Sequence, residues 1–506
     1  MVSPLQTHRT STATRLHGAL SLVSALTVVA VFLWRAFYAH RSLYNIGWVS
    51  GVWLGLARDL VDGVFYRPLI SEIGYGGTRY MPLHFSLLAA LMKLGVPPIA
   101  AGLVVSLAAA VALFSALAVW MRRANLPHAG ALLVGALALA PYFVQDTIFE
   151  LRSDVLAAAF EVAGLAVLFA RRDAHLPNGR VSIAALSFLF AWLTKVTSVA
   201  GLAAAIAALW FCGARASARR LTVLSSVGFL LAGMFLLVAS QGRVWDAFLA
   251  SAPPSAGLIA TLSSLVVPGP LALVAESLFL KLVFALAIIA ILSDRRSASR
   301  DPAVWFLAVS ALDTMLVLTS PGTTLRNHVV EPYIAAVLVI GTWMARRPQR
   351  FATGLLLAVS LAGVATQHIL RDPTTWAMVR HGAAISAQHQ ALITAVERFT
   401  VPVLSESAVY AVLAGQRPVV GDPFALRNVA IRRPDIAADL LSKIDKRFFP
   451  FVVLEHDPKS PEGAGFYEGL HFGTAIVTRI IVNYRFDRQI GTARIYVPVS
   501  GPGELR

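Results

Sequence analysis

The feature that most limits what this chain can become is its succession of apolar runs. They lie near residues 18–38, 99–120, 128–144, 155–170, 197–212, 221–239, 271–292, 303–319, 329–345 and 353–370, with shorter ones at 82–97 and 181–193. Most are roughly 17–22 residues long, the length a helix needs to cross bilayer hydrocarbon. There every backbone N–H and C=O must be satisfied within the protein, and a helix does that internally. The composition agrees: 57% of residues are hydrophobic and 14% charged, with a mean hydropathy of +0.69, beyond what a soluble domain carries. The expected fold is mainly α, a polytopic membrane helix bundle of about 11–13 helices.

Between the runs stand arginine clusters at Arg122/Arg123, Arg171/Arg172, Arg215/Arg219/Arg220, Arg295/Arg296 and Arg346/Arg347. Basic residues in short loops stay cytoplasmic, so the net charge of +16 reflects membrane topology and does not point to nucleic acid. This assignment puts the N-terminus inside and five segments outside, namely 39–98, 145–154, a hinge at Thr194–Ser198, 240–270 and 320–328. It closes if the short run 82–97 does not change sides. The first run continues through Trp34 and Phe37 without a small-residue cleavage box, so it reads as an uncleaved helix. The single cysteine, Cys212, lies in an apolar run and supports neither a disulfide framework nor a Cys-based metal site.

From about Arg371 the pattern turns to a soluble α/β rhythm: strand-like VPVLS (401–405), RPVVGD (417–422), FPFVVLE and ARIYVPV alternate with helix-like SAVYAVLAG, IAADLLSKIDKRF and AIVTRIIVNY. The chain divides into a membrane domain, residues 1–370, and a small C-terminal α/β domain, residues 371–506, on the outer side. That domain has no glycine-rich phosphate loop, GxSxG or metal-spaced His pair, so it reads as a lid or acceptor-recognition element.

The residues suited to chemistry concentrate in the outer segments. The stretch Tyr44 to Gly95, with its outer loop at 39–80, carries Asp59, Asp62 and Glu72 among Tyr44, Trp48, Trp53, Tyr66, Tyr75 and Tyr80. Aromatic rings stack on sugar faces and a carboxylate can take a hydroxyl proton. The alternative is an interfacial helix whose acids face water. GYGGTRYMPLHF adds Arg79 and His84, which suit a phosphate beside glycines that let the backbone come close, or else form a bare loop. DTIFELRSD places Glu150 and Asp154 four apart with Arg152 between them, as base, metal ligands or a salt-bridged helix cap. Lys195 interrupts an apolar double run, where a charge costs roughly 2.5–3.5 kcal/mol. Its partner is an anionic lipid phosphate or an intramembrane acid such as Glu161 or Glu276, unless the run breaks there and brings it near a surface. Asp313 and the segment SPGTTLRNHVVEP, with Arg326, Asn327, His328 and Glu331, complete the set, suiting a diphosphate or a plain polar turn.

Taken in order, ARDLVDGVFYRPL, RYMPLHFSLLAALMKLG, ELRSDVLAAAFEVAGLAVLFA, WLTKVTS, GTTLRNHVVEPYIAAVL and the tail LSES, GQRPVVGDPF, FVVLE, NYRF and YVPV cover most of the chain. This order resembles the GT-C superfamily of integral-membrane glycosyltransferases, specifically bacterial relatives of the family 39 protein O-mannosyltransferases and the rhizobial lipopolysaccharide galacturonosyltransferases. The resemblance implies transfer of a sugar from a polyprenyl-phosphate donor to a lipid, glycan or protein acceptor at the periplasmic face of a bacterial inner membrane. It implies inversion at the sugar, an acid of the first outer loop as base and, in many members, a divalent metal. On it Asp59 and Asp62 are the catalytic acids. Arg79, Lys195, Arg326 and His328 meet the donor phosphate, with Lys195 in the T-K-x-T pattern. Glu72, Tyr80, His84, Glu150, Arg152 and Asp154 line the substrate site, Arg152 and Asp154 as the family's R-x-D. The chain departs in one respect: where members carry an acid soon after the first helix, it reads HRSLYNIGW. Two rivals follow from the same charges, a lipid-linked glycan flippase and a catalytically inactive GT-C scaffold. Matched repeats, the mark of many transporters, are not seen in the sequence.

Overall fold

The computed structural model describes residues 12–169, 177–251, 277–318, 327–346 and 351–499. The membrane part opens with α1 (Thr12–Ser42), α2 (Trp48–Val61), α3 (Pro82–Lys93), α4 (Pro98–Arg123), α5 (His128–Leu139), α6 (Tyr142–Phe149), α7 (Asp154–Phe169) and α8 (Asn178–Thr194). It continues with α9 (Ala200–Phe211), α10 (Arg215–Ala239), α11 (Arg243–Ser251), α12 (Leu278–Ser293), α13 (Pro302–Leu318), α14 (Val330–Arg346) and α15 (Phe351–Arg371). Among the described residues, four helices are long and apolar enough to cross a membrane alone: Arg15–Ser42, Pro98–Arg123, Arg215–Ala239 and Asn327–Arg346. The pair α5 and α6, bent by 66°, makes a fifth if counted as one span. Others, including α9 and α12, are shorter apolar helices.

Prolines set many of these boundaries, because at the first helical turn the missing N–H costs nothing. Pro82 and Pro98 stand there in α3 and α4. At twelve residues α3 extends only about 18 Å against a hydrocarbon core of about 30 Å, consistent with a segment that does not change sides. The innermost helix is α14, nearly all of it buried, where the Tyr333 hydroxyl donates to the Leu137 carbonyl of α5. Leu230, Leu231, Phe235 and Val238 of α10 are exposed and face where lipid chains lie in a bilayer.

Asp372 caps α16 (Pro373–Glu397) by accepting from Thr374 N and Thr375 N, and the helix packs along α1, with Thr375 at Arg35 and Gly382 at Ser42. The α/β part follows: β1 (Leu404–Ser405), α17 (Ala408–Leu413), α18 (Pro423–Arg432), α19 (Pro434–Asp445), β2 (Val452–Leu454), α20 (Pro461–Gly469), α21 (Thr474–Asn483), β3 (Tyr484–Ile490) and β4 (Ala493–Pro498). The sheet order is β1-β2-β4-β3, with β1 and β2 parallel and the other pairs antiparallel. RPVVGD is not a sheet strand, as its alternation suggested. Val420 makes only an isolated bridge, to Tyr75 of the first outer loop, so its extended backbone serves as a docking rail for that loop.

This docking brings the first loop and the C-terminal domain to one face of the bundle. Arg67 donates to the Pro418 carbonyl at 2.9 Å, Gly421 N donates to Tyr75 O at 3.2 Å, and Lys443 donates to the Glu72 carbonyl at 2.9 Å. Gly51 of α2 sits so close to α17 that an added Cβ would lie 2.5 Å from Val409 N. Against α2 the domain also sets a buried polar knot: His471 Nδ1 and Glu406 lie 2.6 Å apart, Tyr467 donates to the same carboxylate at 2.8 Å, and the His471 ring packs on Trp48.

Candidate functional site

The site lies beneath that cover, where four chain-distant segments meet. The apolar double run does break: α8 ends at Thr194, Lys195 adopts an extended backbone and α9 starts at Ala200. Lys195 Nζ then lies 3.1 Å from Asp154 at the head of α7 and 3.4 Å from Glu331 in the first turn of α14. Ser198 donates to Glu331 Oε1, and Asn327 donates to Asp154 Oδ1 at 3.2 Å. The acid expected as Lys195's bland partner, Glu161, instead accepts from Gly201 N at 2.8 Å. It shares the electrostatic neighbourhood of Glu331, Lys195 and Asp313. A lone lysine would be expensive here; two carboxylates offset that cost.

Arg152 extends this network toward the cover. It forms an ion pair with Glu150 and lies within electrostatic reach of Asp154 and Tyr80. Burial pushes the Glu150 carboxyl above its ordinary value, with Arg152 opposing and Asp146 adding to the rise. His328 is half-buried and feels the charges of Lys195, Asp154, Arg79 and Arg152. Arg79 comes from the first loop, where its guanidinium stacks over Phe424 at 3.9 Å and faces Asp422 at 3.8 Å. Asp422 spends its other oxygen capping α18 at Phe424 N and Ala425 N. Arg79 is therefore the loosest-held cation of the group, about a third exposed.

The remaining site candidates have other surroundings. Asp59 is closed into an ion pair with Arg67, 2.7 Å apart and both buried; its further electrostatic neighbours are Arg417 and Asp62. Asp62 is held by Arg58 at 3.2 Å and Arg417 at 3.0 Å. Both acids thus serve the joint between loop and C-terminal domain, because the loop folds back onto residues 416–424. Glu72 is exposed on the rim above α19. His84 is fully buried, bonded through Nε2 to the Leu151 carbonyl at 2.9 Å and packed against Trp53, so it fixes α3 to the turn before α7. Tyr80 lies between Trp53 and Arg79. Arg326 and Glu276 lie outside the described residues.

Two groups have more weight than the sequence suggested. Glu331 reads as the polar start of an apolar run, yet it is a principal partner of Lys195. Arg35, inside the first apolar run, is buried against Asp146 at 2.7 Å, Gln145 and Thr375; its charge in mid-run was the available signal. A divalent metal does not fit this donor set. Among the described residues no group of three or more His, Cys, Asp or Glu side chains is placed to hold one, and one oxygen of each acid is turned to Lys195, Arg152, Ser198 or Asn327.

Solved structures share this arrangement of a helical bundle with a small α/β part at its C-terminal end. ArnT from Cupriavidus metallidurans superposes with a TM-score of 0.54 in the apo state and 0.55 bound to undecaprenyl phosphate, each at 14% identity over 94% of this chain and 99% of that one. The oligosaccharyltransferase AglB from Archaeoglobus fulgidus, in complex with an inhibitory peptide and a dolichol-phosphate, gives 0.54 at 10% identity over 97% of this chain and 75% of that one. No family model and no curated protein matches the sequence. The chain is a multi-pass membrane protein with the GT-C fold.

Proposed function

We propose that this protein is a glycosyltransferase of a bacterial inner membrane, moving a sugar from a polyprenyl-phosphate donor to an acceptor at the extracytoplasmic face, where the first loop and C-terminal domain lie. The observation that carries the reading is the gathering of Arg79, Arg152 and Lys195 within electrostatic reach of His328, with Asp154 among them. Such a set neutralises a lipid phosphate as it departs with the bonding electrons. Arg79, only loosely engaged by Asp422, turns to the phosphate first. Lys195 and Arg152, each already paired, fix the field behind it. The lipid phosphates bound by the two like-folded proteins support the donor class.

The test reconstitutes the full chain in proteoliposomes with radiolabelled polyprenyl-phosphate sugars and membrane lipid as acceptor. Transfer in wild type, and its loss by on the order of 100-fold or more in Arg79→Ala and Lys195→Ala, is the expected result. Binding of undecaprenyl phosphate without turnover would make the chain a scaffold, and movement of the donor across the bilayer without transfer would make it a flippase. The acceptor-activating base is not taken to be Asp59 or Asp62, whose carboxylates are committed to Arg67, Arg58 and Arg417.

A further inference from the structure

Glycosyl transfer needs a carboxylate that an acceptor hydroxyl can reach, and the segment after α1 has none. The charged acids of the site can be compared by what holds them. The side chains of Asp59, Asp154 and Glu331 are only 3%, 6% and 3% exposed and are ion-paired. Asp62 is more open, but it is held by Arg58 one turn back on α2 and by Arg417 of the C-terminal domain. At the end of α6 stand two more acids, Asp146 and Glu150, four residues apart on one helix face, with side chains 21% and 30% exposed.

Asp146 lies against that acid-free segment. Asn45, in the segment after α1, donates its amide to Asp146 Oδ1 at 3.4 Å, and Arg35 holds the same oxygen at 2.7 Å. The Asn45 carbonyl oxygen is buried without a hydrogen-bond partner. A buried oxygen left unpaired is costly unless a ligand donor completes it, and an acceptor hydroxyl is such a donor. The loop continues along α6, where Ser50 donates to the Glu150 carbonyl at 2.9 Å. Glu150 itself uses one carboxylate oxygen on Arg152, the residue that links it to Asp154, Lys195 and the phosphate cations.

Resting on the glycosyl-transfer reading above, we infer that Glu150 is the catalytic residue that takes the acceptor's proton, with Asp146 and Asn45 positioning the hydroxyl. The acceptor O–H bond breaks and its electron pair forms the new bond to the anomeric carbon. The proton goes to the Glu150 carboxylate. The bond from the anomeric carbon to the phosphate oxygen breaks, and its electrons leave with the polyprenyl phosphate. The acid that the segment after α1 lacks is supplied from α6.

The test uses the full chain in proteoliposomes, with transfer from radiolabelled polyprenyl-phosphate sugars and, separately, binding of undecaprenyl phosphate alone. Glu150→Gln is expected to lose transfer by about 100-fold or more while lipid binding changes by less than about threefold. Adding Asn45→Asp to Glu150→Gln is expected to restore transfer at least about tenfold, because it returns an acid to the loop. If Glu150→Gln does not keep its fold, Glu150→Asp, which preserves the charge and withdraws the carboxylate by one methylene, is expected to lose at least about tenfold with binding intact. Transfer at wild-type rate in a folded Glu150→Gln or Glu150→Asp overturns the assignment and leaves glycosyl transfer standing. No transfer by wild type with any donor overturns both.

Discussion

Asp59→Asn tests whether the first-loop acid is structural. The substitution keeps the shape and removes one charge from a pair 2.7 Å apart whose side chains are 3% and 4% exposed. At an effective dielectric of about 20 the attraction is roughly 6 kcal/mol. Desolvation takes part of that back: burial raises the Asp59 carboxyl above its ordinary value even with Arg67 and Arg417 pulling it down. Removing one partner leaves Arg67 buried and uncompensated, a loss of about 3–5 kcal/mol. Arg67 also ties the loop to Pro418, so the loss falls on the docking of the C-terminal domain. Replacing both partners, Asp59→Leu with Arg67→Met, should recover most of it, since a buried pair exchanged for apolar groups is often neutral. The assay is thermal unfolding of the purified full chain together with protease cleavage in residues 62–81, for both single variants and the double. An Asp59→Asn protein with unchanged midpoint and unchanged cleavage, yet without transfer, would refute the reasoning and return the catalytic role to Asp59.

Three further outcomes follow from the same joint. Gly51→Leu places side-chain carbon against the backbone of α17 and should destabilise the docked state by about 1–3 kcal/mol or more, seen as faster proteolysis of residues 401–499. Tyr467→Phe removes the hydroxyl that serves Glu406 and the His456 backbone and should cost about 1–3 kcal/mol, read from the unfolding midpoint. Burial, helped by the charge of Glu406, pushes Glu455 from 4.5 up to about 8. The folded chain therefore keeps a proton that the unfolded chain releases, and stability should fall as pH rises between those two values. Glu455→Gln should flatten that decline in midpoint against pH.

What could be read in advance divides by range. The apolar runs, the break at WLTKVTS and the caps Asp372-Pro and Asp422-Pro are decided by a few neighbouring residues, so they are visible in one chain. Partner choice is not. Lys195 had several acids within chemical reason, and only the crossing of α7, α8 and α14 selects Asp154 and Glu331 over Glu161. Asp59 and Asp62 read as catalytic acids, or else as acids facing water, because the pattern of α2 is local, whereas the face that buries Asp59 is supplied by Arg67 and by residues 416–424, the latter more than 350 positions away. RPVVGD alternates like a strand and is extended, but its partner is a loop and not the sheet.

The contrast between Asp59 and Glu150 can be pressed further. The C-terminal end of a helix carries partial negative charge, and carboxylates there are disfavoured by about 0.3–1 kcal/mol each. Asp146 and Glu150 both stand at that end of α6, and each is held by an arginine brought from elsewhere in sequence or turned back from the following residues. Asp146 has a structural duty, since it keeps the buried Arg35 paired, but Glu150 has none as strong, because its arginine has Asp154 nearby as well. Glu150→Gln should therefore leave the unfolding midpoint unchanged or raise it, because Arg152 retains Asp154 and Tyr80 nearby, while transfer collapses. Asp59→Asn should do the reverse to the fold. One substitution that spares the structure and stops the chemistry, beside one that loosens the structure, is the pattern expected when strain is kept at the reacting group and balanced elsewhere. Equal losses of stability in both would mean that the end of α6 is another brace, and that the proton goes elsewhere.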